Sequence, residues 1–249
     1  MIIRKSSNEL AAMARAGRVV VETIELVGEA MAPGVTTAEL DEIAEEHIRS
    51  QGGVPTFKGY RGFPASICAS PNSMVVHGIP GPYRLADGDS ISIDVGVTLD
   101  GFVGDSAYTF AVGDVDPETQ RLLDACQAAL SAAIAEARAG NHVGHISAAV
   151  QRVTEEAGFS VVRSLVGHGV GRSMHEAPFV PNQGRRGKGM ILQPGLVIAI
   201  EPMLQGGGRD DYRHDADGWT LRTADGSRAA HAEHTIAVTA DGPRILTAL

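Results

Sequence analysis

The sequence predicts an α+β protein of one domain, 1–249, built from two similar halves, approximately 1–112 and 113–249, each a helix pair packed on an antiparallel sheet. Three observations carry this. A pair of amphipathic helices with a glycine between them occurs twice. A ten-residue strand motif follows each pair, LADGDSISID over 85–94 and LQPGLVIAIE over 192–201, matching at Leu, Gly, Ile, Ile and a terminal acid. No Gly/Ser- or Pro-rich linker separates the repeats, so the halves are expected to share one body.

The first helix opens on a capping box, Ser6 with Glu9, and carries Leu10, Met13, Val20, Ile24, Val27 and Met31 at helical spacing until Pro33-Gly34 ends it. A second helix follows from about Thr37, with Leu40, Ile43, Ala44 and Ile48 on its apolar face, before Gly52-Gly53. In SISIDVGVT, Ile91, Ile93, Val95 and Val97 alternate with Ser92, Asp94, Gly96 and Thr98, the pattern of a half-buried strand. Asp100-Gly101 is a two-residue hairpin signal, after which the chain returns as FVGDSAYTF. A tight turn there sets Gly96 opposite Asp105 and Asp94 opposite Ala107.

The plan then restarts. Asp116 is a candidate N-cap, Pro117 takes the first helical position, and Leu122, Leu123, Cys126, Leu130 and Ile134 line one face. Gly140 matches Gly34, and Ile146 in the following helix matches Leu40. The polar stretch 205–218 reads as an exposed excursion, and AEHTIAVT as a final strand.

Composition narrows the function. Hydrophobic residues make up 43% and charged residues 20% of the chain, which describes a globular protein rather than a disordered one. A net charge of −9 disfavours nucleic acid as a ligand. Two cysteines, Cys68 and Cys126, cannot build a disulfide framework, and there is neither a signal-peptide pattern nor a membrane-length apolar run. The expectation is a cytoplasmic protein with no membrane contact, acting as a monomer.

The chemistry-bearing residues are acids on strands. Asp94 and Asp105 fall on one face as diagonal neighbours, close enough for their side chains to converge. Glu201 and Glu233 each point away from the aliphatic residues of their strand, Ile198 with Ile200 and Ile236 with Val238. Four carboxylates gathered in a cleft repel one another and call for cations. Oxygen donors with an imidazole suit Mn, Fe, Co or Zn. Of nine histidines, His77, His168 and His175 lie beside glycines or in short turns, where backbone can approach a crowded site. His47, His142, His145, His214 and His231 have no such context and read as structural or solvated; His234 is ambiguous because it adjoins Glu233.

The segments MVVHGIP, SIDVGVTLDGFVGDSAYTF, VGHGVGRSMHEAPFVPN, LVIAIEPML and HAEHTIAVT resemble the type I methionine aminopeptidases, and the resemblance spans nearly the whole chain. It implies the pita-bread fold and two divalent metal ions (Co, Mn, Fe or Zn), one on Asp94, Asp105 and Glu233, the other on Asp105, His168, Glu201 and Glu233. It implies removal of the initiator methionine from nascent peptides whose second residue is small, with Glu201 as proton shuttle, His175 at the developing oxyanion, and His77 near the scissile amide. Tyr60, Phe63, Cys68, Met174 and Trp219 would surround the methionine side chain. Phe57 and Phe63 stand where many relatives have cysteine and tyrosine, and Arg61 where many have histidine, so the pocket is expected to differ in detail. The chain resembles the minimal form, without the N-terminal extension or large insertion of some relatives. Two alternatives use the same fold, a proline-directed aminopeptidase and a non-catalytic relative that binds protein or RNA. Ribosome association through Arg209, Arg213 and Arg222 is a further expectation.

Overall fold

The structure, a computed structural model, describes residues 2–248. The helices are α1 (Ser7–Ala30), α2 (Thr37–Ser50), α3 (Pro117–Glu136) and α4 (Val143–Glu156). The strands are β1 (Val54–Pro55), β2 (Cys68–Pro71), β3 (Met74–Val76), β4 (Ser90–Leu99), β5 (Phe102–Ala111), β6 (Ser160–Val161), β7 (Val166–Gly169), β8 (Glu176–Pro181), β9 (Val197–Ile200), β10 (Met203–Gln205), β11 (Tyr212–His214), β12 (Leu221–Thr223), β13 (Ala229–His231), β14 (Glu233–Thr239) and β15 (Gly242–Ile245).

Local sequence sets the helix starts. Ser6 Oγ accepts from the Glu9 N–H while the Glu9 carboxylate accepts from the Ser6 N–H, and Thr36 with Glu39 repeats this box at α2. Asp116 accepts from the N–H groups of Glu118 and Thr119 ahead of α3. Each such cap satisfies donors that the first helical turn leaves without partners.

The repeat is visible in the backbone. Gly34, at φ +95°, donates its N–H to Leu85 O, and Gly140, at φ +91°, donates to Leu192 O. Both glycines occupy the left-handed region that a Cβ disfavours, so the same turn returns each helix pair to the matching strand motif. Helices α2 and α4 each run for 14 residues. One apolar core lies under α1 and α2, including Val20, Val27, Leu40, Ile48, Ile91 and Ile93; another lies under α3 and α4, including Leu122, Leu130, Ile146, Ile198 and Ile236. Each fully buried aliphatic side chain contributes about 1.5–3 kcal/mol. A third cluster, with Met13, Phe57, Phe63, Val170 and Met174, joins the two halves.

The main sheet runs β1-β4-β5-β14-β9-β7-β8, with β2 also pairing with β4 and β15 with β14; the pairings are antiparallel. Asp100 (φ +52°) and Gly101 (φ +75°) make the β4–β5 turn, and the register is the one the turn dictates, Gly96↔Asp105 and Asp94↔Ala107. The expected excursion at 205–218 is only partly one. Gln205 is 0% exposed and closes β10, and Tyr212–His214 forms β11 against β12, which in turn pairs with β3. No helix among the described residues is long and apolar enough to cross a membrane.

Candidate metal centre

Sheet register brings the acids together. Ala107 on β5 faces Asp94 on β4 and Glu233 on β14, so its small side chain lies between two carboxylates. Asp105 is two residues away on the same face of β5. Past the pair His234↔Ile200, the β14–β9 register continues by one residue and sets Glu201 beside Glu233. His168 comes from β7, where it pairs with Phe179 of β8. Its flanking glycines are required by close approach: a Cβ on Gly167 would lie 2.4 Å from Ala199 O and one on Gly169 would lie 2.2 Å from Ala177 O.

All five predicted ligands line one cleft. His168 Nε2 lies 3.5 Å from Asp105 Oδ2 and 3.5 Å from Glu201 Oε1. These separations exceed a good hydrogen bond but equal the spacing of two donors on one ion with bonds of about 2.0–2.2 Å. His168 Nδ1–H donates to Gly169 O at 2.9 Å, which leaves the Nε2 lone pair facing the acids. Asp94 Oδ1, Asp105 Oδ1 and Glu233 Oε1 are buried without hydrogen-bond partners among the described residues. Burial, and then the neighbouring carboxylates, push Asp94, Glu201 and Glu233 well above the usual carboxylate range; burial raises Asp105 to about 7. Burial lowers His168 to about 4, with the charge of His175 adding to it, so its imidazole is neutral at pH 7. Orphaned carboxylate oxygens around a neutral imidazole fit divalent cations. Asp105, His168 and Glu233 can close around one ion, and so can Glu201, His231 and Glu233.

The remaining predicted residues line the same cleft, His77, His175, Tyr60, Phe63, Cys68, Met174 and Trp219, together with Phe57 and Arg61. His77 sits in the left-handed region at φ +60° beside Trp219, and burial lowers it to about 4. His175 lies with its ring centroid 4.3 Å from that of His168, and its Nδ1 is 2.9 Å from the Tyr60 hydroxyl. Burial, then the Arg61 charge, also lowers His175. Phe63 packs edge-on against Trp219 and Phe57. Gly96 makes room for Phe57, since a Cβ there would lie 2.6 Å from the ring. Burial and then the Asp94 charge raise the Cys68 thiol well above its ordinary value, so Cys68 acts as a small apolar wall. The cleft holds about 180 Å³, below the ~300–1,000 Å³ of sites for drug-sized ligands, so it accommodates one side chain rather than an extended segment.

Sequence reasoning missed one residue. His231, assigned to the structural or solvated class, is 2% exposed, and its Nε2 faces Glu201 Oε2 at 3.7 Å and Glu233 Oε2 at 3.8 Å. The signal was present: it lies two residues before Glu233, the spacing that puts both on one face of an extended chain. His234 points to the other face, where its Nδ1 is 3.0 Å from Thr247 Oγ1. Arg209 and Arg222 are paired with Asp211 and Asp215, so little of their charge is left free.

The model of metallopeptidase family M24 matches residues 11–240, and the chain belongs to that family. Within it, the curated relatives at 40–49% identity are methionine aminopeptidases, matched over nearly their full length. The methionine aminopeptidase of Clostridium perfringens is 49% identical over 249 residues, covering 99% of both chains, and methionine aminopeptidase 1 of Bacillus subtilis is 49% identical over 247 residues, also covering 99% of both. The crystal structure of methionine aminopeptidase from Rickettsia prowazekii superposes with a TM-score of 0.98 at 39% identity, covering 100% of both chains. The chain therefore has the pita-bread fold, in one domain.

Proposed function

We propose that this chain removes the N-terminal methionine from peptides with a small second residue, by hydrolysis assisted by two divalent cations on Asp94, Asp105, His168, Glu201 and Glu233. The observation that carries this is the junction of two features in one cleft: four carboxylates, Asp105 and Glu233 buried and Asp94 and Glu201 partly so, with the imidazole of His168 among them, and a wall of Phe57, Phe63, Cys68, Met174 and Trp219 sized for a single side chain. The full-length likeness to methionine aminopeptidases supports it.

The cations, when bound, would polarise the scissile carbonyl and make water acidic enough to act at neutral pH. Glu201 is the base that takes the proton from the attacking water and hands it to the leaving amine. The Tyr60 hydroxyl stands 2.9 Å from His175 Nδ1; in the tautomer where that hydroxyl donates, the ring proton is on Nε2, free to donate to the developing oxyanion. His77, neutral through burial, faces the scissile amide from the Trp219 side. Apolar walls with a polarizable thioether at Met174 suit the flexible methionine side chain. A large second residue would crowd so small a cleft. The substrates would be nascent chains, which places the activity in the cytoplasm, with the enzyme acting as a monomer.

Hydrolysis of Met-Ala-Ser compared with Ala-Pro peptides, in protein loaded with Co or Mn, tests the reading. Release of methionine that is abolished by Glu201→Ala is the expected result. Preference for the Xaa-Pro bond would transfer the assignment to a proline-directed peptidase, and binding without hydrolysis would transfer it to a non-catalytic relative.

A further inference from the structure

His231 is not among the five residues assigned to the cations, yet it is built into their centre. Its ring is buried, and neither Nδ1 nor Nε2 has a hydrogen-bond partner among the described residues. Burying an imidazole in this way is unfavourable unless something else satisfies it. The backbone fixes its aim: Thr109 Oγ1 accepts from His231 N–H at 2.9 Å and donates to His231 O at 2.7 Å, and Met203 pairs with His231 on the other side.

The spacing identifies what would satisfy the ring. At 3.7 Å from Glu201 Oε2 and 3.8 Å from Glu233 Oε2, Nε2 is too far for a hydrogen bond to either. Two donors each about 2.1 Å from one ion, at angles of roughly 109–130°, stand about 3.4–3.8 Å apart. The His168 separations of 3.5 Å fall in the same range. Glu201 thus stands between two imidazoles, with Oε1 towards His168 and Oε2 towards His231. Charge limits the number of ions. Asp94, Asp105, Glu201 and Glu233 balance two divalent cations, and a third would find no counter-charge.

We propose that His231 is a sixth ligand of the two-cation centre, sharing one ion with Glu201 and Glu233 while His168 serves the other; Glu201 would then give one carboxylate oxygen to each ion, beyond the single ion the family resemblance implies for it, and both cations would be bound through a nitrogen. This rests on the two-cation reading above and deepens it. An all-carboxylate position would favour hard ions such as Mn; a second imidazole shifts the pair towards Co and Zn.

Anomalous scattering from crystals of the wild-type protein loaded with two equivalents of Co tests this without any variant. The expected result is one peak within about 2.3 Å of His231 Nε2 and another within the same distance of His168 Nε2. Two peaks on Asp94, Asp105, His168, Glu201 and Glu233, with His231 beyond bonding distance, would overturn the proposal while leaving the proposed function intact. No peak on any of the five would overturn that function as well. In solution, His231→Gln is expected to weaken the binding of one Zn or Co equivalent by at least about tenfold while changing Mn affinity much less. Equal losses for all three metals, or none, would contradict a nitrogen ligand.

Discussion

Replacing Lys5 with methionine tests how the loop bearing Met174 and His175 is held. Lys5 Nζ donates to Glu176 Oε2 at 2.7 Å, with the two side chains 3% and 10% exposed. The other oxygen of Glu176 accepts from the N–H groups of Arg172 at 3.0 Å and Ser173 at 3.3 Å. One carboxylate therefore ties the segment before α1 to the turn that presents two cleft residues. At an effective dielectric of about 20 the ion pair is worth roughly 6 kcal/mol gross, and desolvation of the ammonium offsets part of that. Truncating one partner of a buried pair costs about 3–5 kcal/mol, and the two remaining amide donors put Lys5→Met near the lower end, about 3 kcal/mol. Unfolding entropy of about 2.1 cal/mol/K per residue converts this into a fall in Tm of about 6 °C for a chain of this length. Scanning calorimetry of the metal-free protein reads it directly. Combining Lys5→Met with Glu176→Gln is expected to restore at least half of the loss, because no unpaired charge then remains buried. A single-variant shift below about 2 °C, or a double variant no more stable than Lys5→Met, would refute the argument.

Tyr60→Phe removes the hydroxyl that bonds to His175 Nδ1; losing about 1–2 kcal/mol of orientation should lower kcat about tenfold with little change in KM, measured on Met-Ala-Ser. Asp105→Asn removes one of four crowded carboxylates, so the metal-free variant should melt above wild type. Wild type should gain about 2.7 kcal/mol from cation at 100 times Kd, read as a rise in Tm, while the variant gains much less. Hydrogen bonds from Lys58 and then Arg49 hold the Glu45 carboxyl down at about 2. Its folded value lies below the unfolded one, so its contribution is present above about pH 4.5 and is lost as pH falls towards 2. Because Lys58 and Arg49 are largely exposed, that contribution is about 1 kcal/mol. Urea unfolding should show Glu45→Gln less stable by this amount at pH 7, with the gap closing on acidification.

What could be read from the sequence was whatever local rules govern. The Asp100-Gly101 turn fixes a register, and that register alone puts Asp94, Asp105 and Ala107 where they are. The Ser6/Glu9 box and the Asp116-Pro117 start are equally local, and so are their outcomes. The convergence of Glu201, Glu233 and His168 depends on strand order across the sheet, which no single segment encodes; the internal repeat and the family resemblance supplied it. Gln205 illustrates the limit: in a Gly/Asp/Arg-rich run it reads as solvated, yet the pairing of β10 with β13 and β6 buries it. His231 was passed over because the flanking alanines gave no sign of a turn or a glycine, although its alternation with Glu233 placed it on the polar face.

The proposed function requires that the acid row and His168 bind the ions on which peptide cleavage depends. Its most direct measurement is a titration of chelated protein with Co, following bound ions per chain and methionine released from Met-Ala-Ser in the same samples. Activity is expected to return with the first two equivalents, and Glu233→Gln, which removes a carboxylate that would serve both ions, is expected to abolish tight binding and release together. Methionine release that survives exhaustive chelation, or full binding in Glu233→Gln, would contradict it.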